Sequence, residues 1–267
     1  MSAAAAPAPA AEAPLLRADA EGIATLTLNR PQARNALSLG LMAALQAEFD
    51  RIGQDSGVRA VILRGAGPAF CAGHDLKEMR ADPGREAVSA VFRACSALML
   101  TITRLPQPVI AEIHGIATAA GCQLVATCDL AVSASGARFA TPGVNIGLFC
   151  STPMVALSRA VPRKAALEML LLGEPIDAAE ALRIGLVNRV VPEAELEGAV
   201  RAMAARIACK APRVLAIGKA AFAAQAELGL EEAYAHAAAV MTRNMMMADA
   251  AEGIDAFLTK RAPRWEG

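Results

Sequence analysis

The sequence predicts an α/β protein of repeated strand–strand–helix units, closed by a helical C-terminal region. Three observations carry that expectation. Short apolar strand-like runs recur, most followed by a turn containing glycine or proline and then by helical spacing, the pattern of right-handed crossovers between neighbouring strands. From Glu193 onward only the helical pattern remains. Hydrophobic residues make up 55% of the 267 and aromatics only 3%, so the core must consist of small aliphatic side chains on closely packed elements.

Residues 1–14 form an Ala/Pro tail whose composition predicts disorder. Ile23–Leu28 alternates apolar and polar residues, as a strand does, and Asn29-Arg30-Pro31 ends it. Ser38 is a candidate N-cap, and Leu41, Leu45, Phe49 and Ile52 follow at helical spacing. Ala60–Leu63 reads as a buried strand, and a helix is expected from near Asp75. Residues 87–103 form a longer helix with Val91, Cys95, Leu98 and Ile102 on one face, ended by Pro106 and Pro108.

Val109–Ile113 is the next strand, 119–128 a helix, Leu130–Val132 strand-like and Arg138–Ala140 an edge segment. Gly173 closes a helix over 165–172, Asp177 caps a short one over 178–183, and a strand is expected over 186–191. Helices follow over 195–208, 212–228, 231–246 and 249–258. The expected division is a core over 15–200 and a helical region over 201–267.

Lys+Arg and Asp+Glu are equal at 26 each, which argues against nucleic acid or an anionic membrane as partner. No apolar run reaches about 18 residues, and the tail lacks the basic residues of a secretory or mitochondrial leader. A cytoplasmic protein is expected. Cys71, Cys95, Cys122, Cys128, Cys150 and Cys209 show no C-x-x-C spacing and no cluster with histidine, so neither a metal site nor a disulfide framework is expected.

Two small-residue loops stand out. Phe70-Cys71-Ala72-Gly73-His74-Asp75 follows the strand at 60–63, and His114-Gly115-Ile116-Ala117-Thr118-Ala119-Ala120-Gly121-Cys122-Gln123 follows the strand at 109–113. Such loops let a ligand approach the backbone. One N–H from each, converging on one oxygen, would form an oxyanion hole for charge that develops during reaction.

Five pieces in order resemble the crotonase superfamily, the enoyl-CoA hydratase/isomerase family. They are Leu28-Asn29-Arg30-Pro31-x-x-x-Asn35-Ala36-Leu37, Phe70-x-Ala72-Gly73-x-Asp75-Leu76, and Gly121-Cys122-x-Leu124-x-x-x-Cys128-Asp129. Gly173-x-Pro175-Ile176-x-Ala178-x-x-Ala181 and Glu252-Gly253-Ile254-x-Ala256-Phe257-Leu258-x-Lys260-Arg261 complete the set. The resemblance spans roughly residues 26–265 and implies a spiral of ββα units with C-terminal helices that form a trimer or a dimer of trimers. It implies a coenzyme A thioester as substrate or ligand, with no permanently bound cofactor. By motif position the backbone donors are His74 and Ala120. Arg30, Arg34, Ala36, Ala72, Asp75, Leu76 and Lys260 are the implied CoA-binding residues, with Arg261 a further basic neighbour.

The chain departs from the family where protons move. Hydration in this family uses two glutamates, one following the Gly-Cys of the second loop and one following the proline of Phe-Gly-x-Pro-Glu. Here those positions hold Gln123 and Gly143. An amide is no general base, and glycine has no side chain. Ala119-Ala120-Gly121 replaces the usual three glycines. The combination resembles enoyl-CoA hydratase domain-containing proteins in which both glutamates are replaced. Two-glutamate hydration is not expected to be efficient.

Other groups stand near the implied site. The imidazole of His74 is expected either to point into the acyl pocket and titrate near neutrality or to lie exposed at the loop. Cys150, with Ser151, is a candidate nucleophile if a histidine lowers its pKa. Asp75 and Glu78 suit the helix N-terminus; Gln123 and Asn145 are further candidate site residues, and His114 and His236 read as structural. The expected function is acyl-CoA processing through an enolate-type intermediate. The alternatives are a non-catalytic acyl-CoA binder and a thioester hydrolase using His74 and Cys150.

Overall fold

The computed structural model describes residues 13–266. Most of the tail lies outside them. Of its last residues, Ala13 and Pro14 are held by Asn29, whose Nδ2 donates to the Ala13 carbonyl at 3.0 Å and whose amide donates to the Pro14 carbonyl at 2.8 Å.

The first strands are β1 (Leu15–Ala20) and β2 (Ile23–Leu28). β1 is absent from the sequence expectation because its Leu-Leu-Arg-Ala-Asp-Ala run alternates poorly. It pairs antiparallel with β2 from Leu15↔Leu28 to Ala20↔Ile23. Glu21 and Gly22 make the turn at φ 54° and 74°, the positive-φ pair that a tight hairpin needs.

Helix α1 (Leu39–Gln54) starts where its cap predicts, with the Ser38 side chain accepting from the Leu41 amide. Then come β3 (Ala60–Gly65), α2 (Leu76–Ala81) and α3 (Arg85–Arg104). β4 (Val109–Ile113), β5 (Ile116–Thr118), α4 (Ala120–Thr127), β6 (Leu130–Ala134) and β7 (Arg138–Ala140) follow. The second half holds α5 (Ser151–Ala160), α6 (Arg163–Leu172), β8 (Ile176–Asp177), α7 (Ala178–Arg183) and β9 (Arg189–Val191). It closes with α8 (Leu196–Ala208), α9 (Pro212–Gln225), α10 (Leu230–Met245) and α11 (Ala248–Leu258).

The main sheet runs β1-β2-β3-β4-β6-β9, parallel except for β1, and β5-β7-β8 form a second, smaller sheet. Both faces of the main sheet are covered, as a parallel sheet requires. Leu26, Leu28, Leu63 and Ala111 face the cluster that includes Leu45, Phe49, Leu98 and Phe139. Ile23, Ile62, Ile110 and Val132 face Leu196, Val200 and Met203 of α8. Each fully buried aliphatic side chain contributes about 1.5–3 kcal/mol.

The strand expected over 186–191 begins only at Arg189. Before it, Asn188 imitates a strand residue: its amide donates to the Ala131 carbonyl at 2.8 Å and its Oδ1 accepts from the Ala131 amide at 2.7 Å. Helix α9 is tied to the core by one polar knot. Lys219 Nζ reaches Asp129 Oδ2 at 2.7 Å, the Ile102 carbonyl at 3.0 Å and the Gln107 carbonyl at 3.2 Å. The same Asp129 oxygen accepts from the Val109 amide. Burial pushes the Asp129 carboxyl up, and Lys219 opposes that shift.

Candidate functional site

Segment 30–37 clasps the first loop. Asn35 is fully buried, and its Nδ2 donates to the carbonyls of Ala66 and Ala69 at 2.9 and 2.7 Å. Leu37 and His74 form an isolated parallel bridge. The Leu37 amide donates to Gly73 at 2.7 Å, the Asp75 amide donates back to Leu37 at 3.1 Å, and the Ala72 amide donates to Arg34 at 3.0 Å. His74's own N–H is left without a protein acceptor among the described residues.

The second loop locks onto the first. The Thr118 amide donates to the Cys71 carbonyl at 3.0 Å, and its hydroxyl donates to the Ala72 carbonyl at 3.1 Å. The loops meet where only glycine fits. A Cβ on Gly121 would lie 2.0 Å from the Cys71 carbonyl oxygen. A Cβ on Gly73 (φ +96°) would lie 2.9 Å from Ala119 Cβ and 3.4 Å from the Ala120 nitrogen. Ala120 opens α4, so its N–H is one that the helix leaves unpaired. Ala119 precedes it at φ 50°, ψ −116°, a glycine-favouring turn conformation whose cost for alanine is of order 1–3 kcal/mol. The Ala119 amide is fixed on the Ala140 carbonyl at 2.9 Å.

The side chains around this junction are neutral. His74 packs edge-to-face on Phe92 of α3, ring centroids 5.4 Å apart, and its Nε2 is sealed without a hydrogen-bond partner. Desolvation lowers its pKa from 6.5 to about 4. The expectation of titration near neutrality is therefore corrected: a buried imidazole with no carboxylate beside it stays uncharged. Gln123, one turn into α4 from Ala120, is buried, and its Oε1 accepts from the Cys95 thiol at 3.8 Å. Its Nε2 has no acceptor among the described residues.

Gly143 is required by packing. A Cβ there would lie 2.7 Å from the Leu148 carbonyl oxygen and 2.9 Å from Cys150 Sγ. The 148–150 turn occupies the space that a side chain at 143 would enter. Burial raises the Cys150 thiol pKa, opposed by the Gly143 amide. No histidine contacts that thiol among the described residues, which corrects the expectation of a histidine-activated Cys150. Asn145 donates to the Gly173 carbonyl, Ser151 to the Phe149 carbonyl, and His114 Nε2 lies 2.7 Å from the Gly67 carbonyl.

The clasp brings Arg30, Arg34, Ala36, Ala72, Asp75 and Leu76 into one neighbourhood. Arg34 and Leu76 are exposed, and Ala36 and Ala72 are half-buried. Arg30 is engaged within it, donating to Asp75 Oδ2 at 2.9 Å and to the Ala36 carbonyl at 2.6 Å. Asp75 caps α2 through the Lys77 and Glu78 amides and is held below its usual pKa, with the Arg30 pair and those amides overcoming its desolvation. Glu78 accepts from the Leu39 amide at the start of α1. Lys260 is not joined to the clasp by any described contact, and Arg261 pairs with Glu252 at 2.6 Å.

A groove of about 830 Å³ runs along the outer face of α3, lined by Val88, Ser89, Phe92, Ala97 and Leu100 among others. Phe92, one of its lining residues, is the residue against His74. Phe92 and Thr141 are site neighbours absent from the sequence expectation. Phe92 lies off the buried stripe of α3. Thr141 gives no signal in sequence beyond its place before Pro142.

This arrangement of a mostly parallel sheet, a second small sheet and a helical C-terminal region is the crotonase fold. The solved enoyl-CoA hydratase of Mycobacterium smegmatis superposes with a TM-score of 0.93 at 56% identity, over 96% of this chain and 100% of that one. Human enoyl-CoA hydratase domain-containing protein 3 gives 0.92 at 48% identity, over 94% and 100%. The chain belongs to the enoyl-CoA hydratase/isomerase family, whose sequence profile matches residues 18–267. The rat mitochondrial enoyl-CoA hydratase domain-containing protein 3 is 48% identical over 245 residues, 92% of this chain and 82% of that protein. A putative enoyl-CoA hydratase of Thermus thermophilus is 36% identical, over 91% and 97%.

The expectation of a cytoplasmic protein is corrected by these relatives. The rat, mouse, frog and human proteins are named mitochondrial, which stands against it. That expectation rested on tail composition alone.

Proposed function

We propose that this chain binds an acyl-CoA thioester, its thioester oxygen accepting from the His74 and Ala120 amides. The observation that carries the reading is the junction at Gly73. A Cβ on Gly73, the residue before His74, would lie 3.4 Å from the Ala120 nitrogen, and neither the His74 nor the Ala120 N–H has an acceptor among the described residues. Such a pair stabilises the negative charge of an enolate-type intermediate. The residues of the clasp, with Lys260 from the C-terminal region, are the proposed CoA contacts. No permanently bound cofactor is invoked.

Acid–base help of the kind that two glutamates give is worth about 10²–10⁴-fold per group. We expect thermal stabilisation by acyl-CoAs, with crotonyl-CoA hydration at least about 10²-fold below a two-glutamate relative assayed alongside. A rate equal to that relative's overturns the reading of Gln123 and Gly143. A non-catalytic acyl-CoA binder is the second reading, favoured by the filled space beside Gly143. A turnover screen over short, branched, long and aromatic acyl-CoAs separates the two. Hydrolysis through His74 and Cys150 is disfavoured, since neither group is ionised near neutrality and they share no contact.

We further propose that residues 15–200 hold the site and 201–267 serve self-association, as a trimer or dimer of trimers. Phe222, Leu230, Tyr234, Met246 and Phe257 are all more than 70% exposed. Apolar exposure on that scale marks an interface.

A further inference from the structure

Helix α11 ends in a way that its own sequence disfavours. The Arg261 amide donates to the Ala256 carbonyl at 3.0 Å and the Lys260 amide to the Phe257 carbonyl at 3.2 Å. This pair of bonds is the Schellman motif, whose left-handed residue is usually glycine. Here that residue is Lys260, at φ 55°. Strain of this kind persists only where the surroundings over-determine it, and it gathers at functional positions. Arg261, the next residue, is spent on Glu252, whereas the Lys260 ammonium has no partner among the described residues.

The surroundings that hold the turn are a strap over residues 261–266. Arg261 makes a two-pronged pair with Glu252, at 2.6 and 2.7 Å, and the Arg264 amide donates to the same carboxylate at 2.7 Å. The Glu266 amide donates to the buried Asp249 at 3.0 Å. Trp265 lies against Gly253, where an added Cβ would stand 3.3 Å from two ring atoms. Its Nε1 donates to the Cys209 carbonyl at 2.8 Å, at the C-terminal end of α8, and α8 packs on the main sheet. Helix α11 itself buries only Asp249 and Ala256. Trp265 thus joins the helix that carries Lys260 to one seated on the core.

We propose that Trp265 is a positioning residue: through the strap it holds the left-handed turn at Lys260, so that the ammonium meets the nucleotide phosphates of an acyl-CoA. The inference rests on the thioester reading above, in which Lys260 is a CoA contact. A lysine on a flexible stem gives up rotamer freedom when it binds a phosphate. A backbone fixed beforehand lowers the ordering cost of that contact.

Calorimetric titration of the full-length protein with butyryl-CoA and with butyryl-pantetheine, which lacks the nucleotide, tests it. Lys260→Met should weaken butyryl-CoA by at least about fivefold and leave butyryl-pantetheine unchanged. Trp265→Ala should do the same, and Trp265→Phe, which keeps a ring on Gly253, should recover part of the affinity. In the Lys260→Met background Trp265→Ala should cost nothing further. Gly253→Leu reaches the same end without loss of the indole, since leucine favours a helix while its side chain displaces the ring. The single tryptophan should then emit further to the red, and butyryl-CoA should weaken alike. Undiminished butyryl-CoA binding in Lys260→Met or Trp265→Ala, equal loss for both ligands, or losses that add in the double variant overturn the positioning role and leave the thioester reading intact. Failure of the parent to bind either thioester overturns that reading and the positioning role with it.

Discussion

His74 shows how far one residue's meaning depends on what packs against it. Its position in the motif assigns a backbone role, while its side chain is set by Phe92 and by burial. The folded pKa of about 4 lies below the ordinary 6.5, so the unfolded chain binds more protons between those values. Stability therefore falls as pH drops from 7 to 4 and levels off below, by on the order of 3 kcal/mol from this residue. Urea unfolding of the parent and His74→Phe at pH 7, 5.5 and 4 measures this. The parent should lose more than the variant, and parallel losses would refute the assignment. Residue identity also made the missing glutamates plain in the sequence. That Cys150 and Leu148 fill the space at Gly143 was not, because it depends on a turn several residues further along the chain.

Elements were legible wherever one period dominated. The stripe of Leu41, Leu45, Phe49 and Ile52 and the cap at Ser38 located α1, and the Asp177 cap and Gly185 bounded α7. β1 and α5 were not legible. β1 is an edge strand made by its partner β2, and α5 begins within a polar Cys-Ser-Thr-Pro run that reads as a loop. The tie between α9 and the sheet is invisible in sequence because Asp129 and Lys219 lie 90 residues apart. The pair is half-buried, with 11% and 26% of its two side chains exposed, and losing a hydrogen bond to a charged group costs about 1.5–3 kcal/mol. Lys219→Met should therefore lose that much in urea unfolding, and adding Asp129→Asn should restore part of it. A single variant as stable as the parent would show that the knot contributes nothing to α9 docking.

Across the whole molecule burial is uneven. The main sheet with α1, α3 and α8 carries the buried clusters, whereas α9 and α10 have no buried residue. Light scattering on the eluted protein should give three or six times the chain mass, and Phe257→Glu should lower it. A monomeric parent would overturn the self-association proposal. The loop pair and its paired amides were readable from small residues at the right places. The neutral surroundings needed the fold, since Thr141 follows β7 whereas Phe92 and Cys95 stand on α3.

The turn packed against Gly143 also bears on engineering. A glutamate at 123 is one exchange away, at a site that already holds its amide. At 143 any side chain would collide with the Leu148 carbonyl and Cys150 Sγ, so an acid there is compatible only with a rebuilt 148–150 turn. The two positions are thus unequal as design targets: one accepts a carboxylate by a point change, and the other calls for a second loop to be redesigned with it.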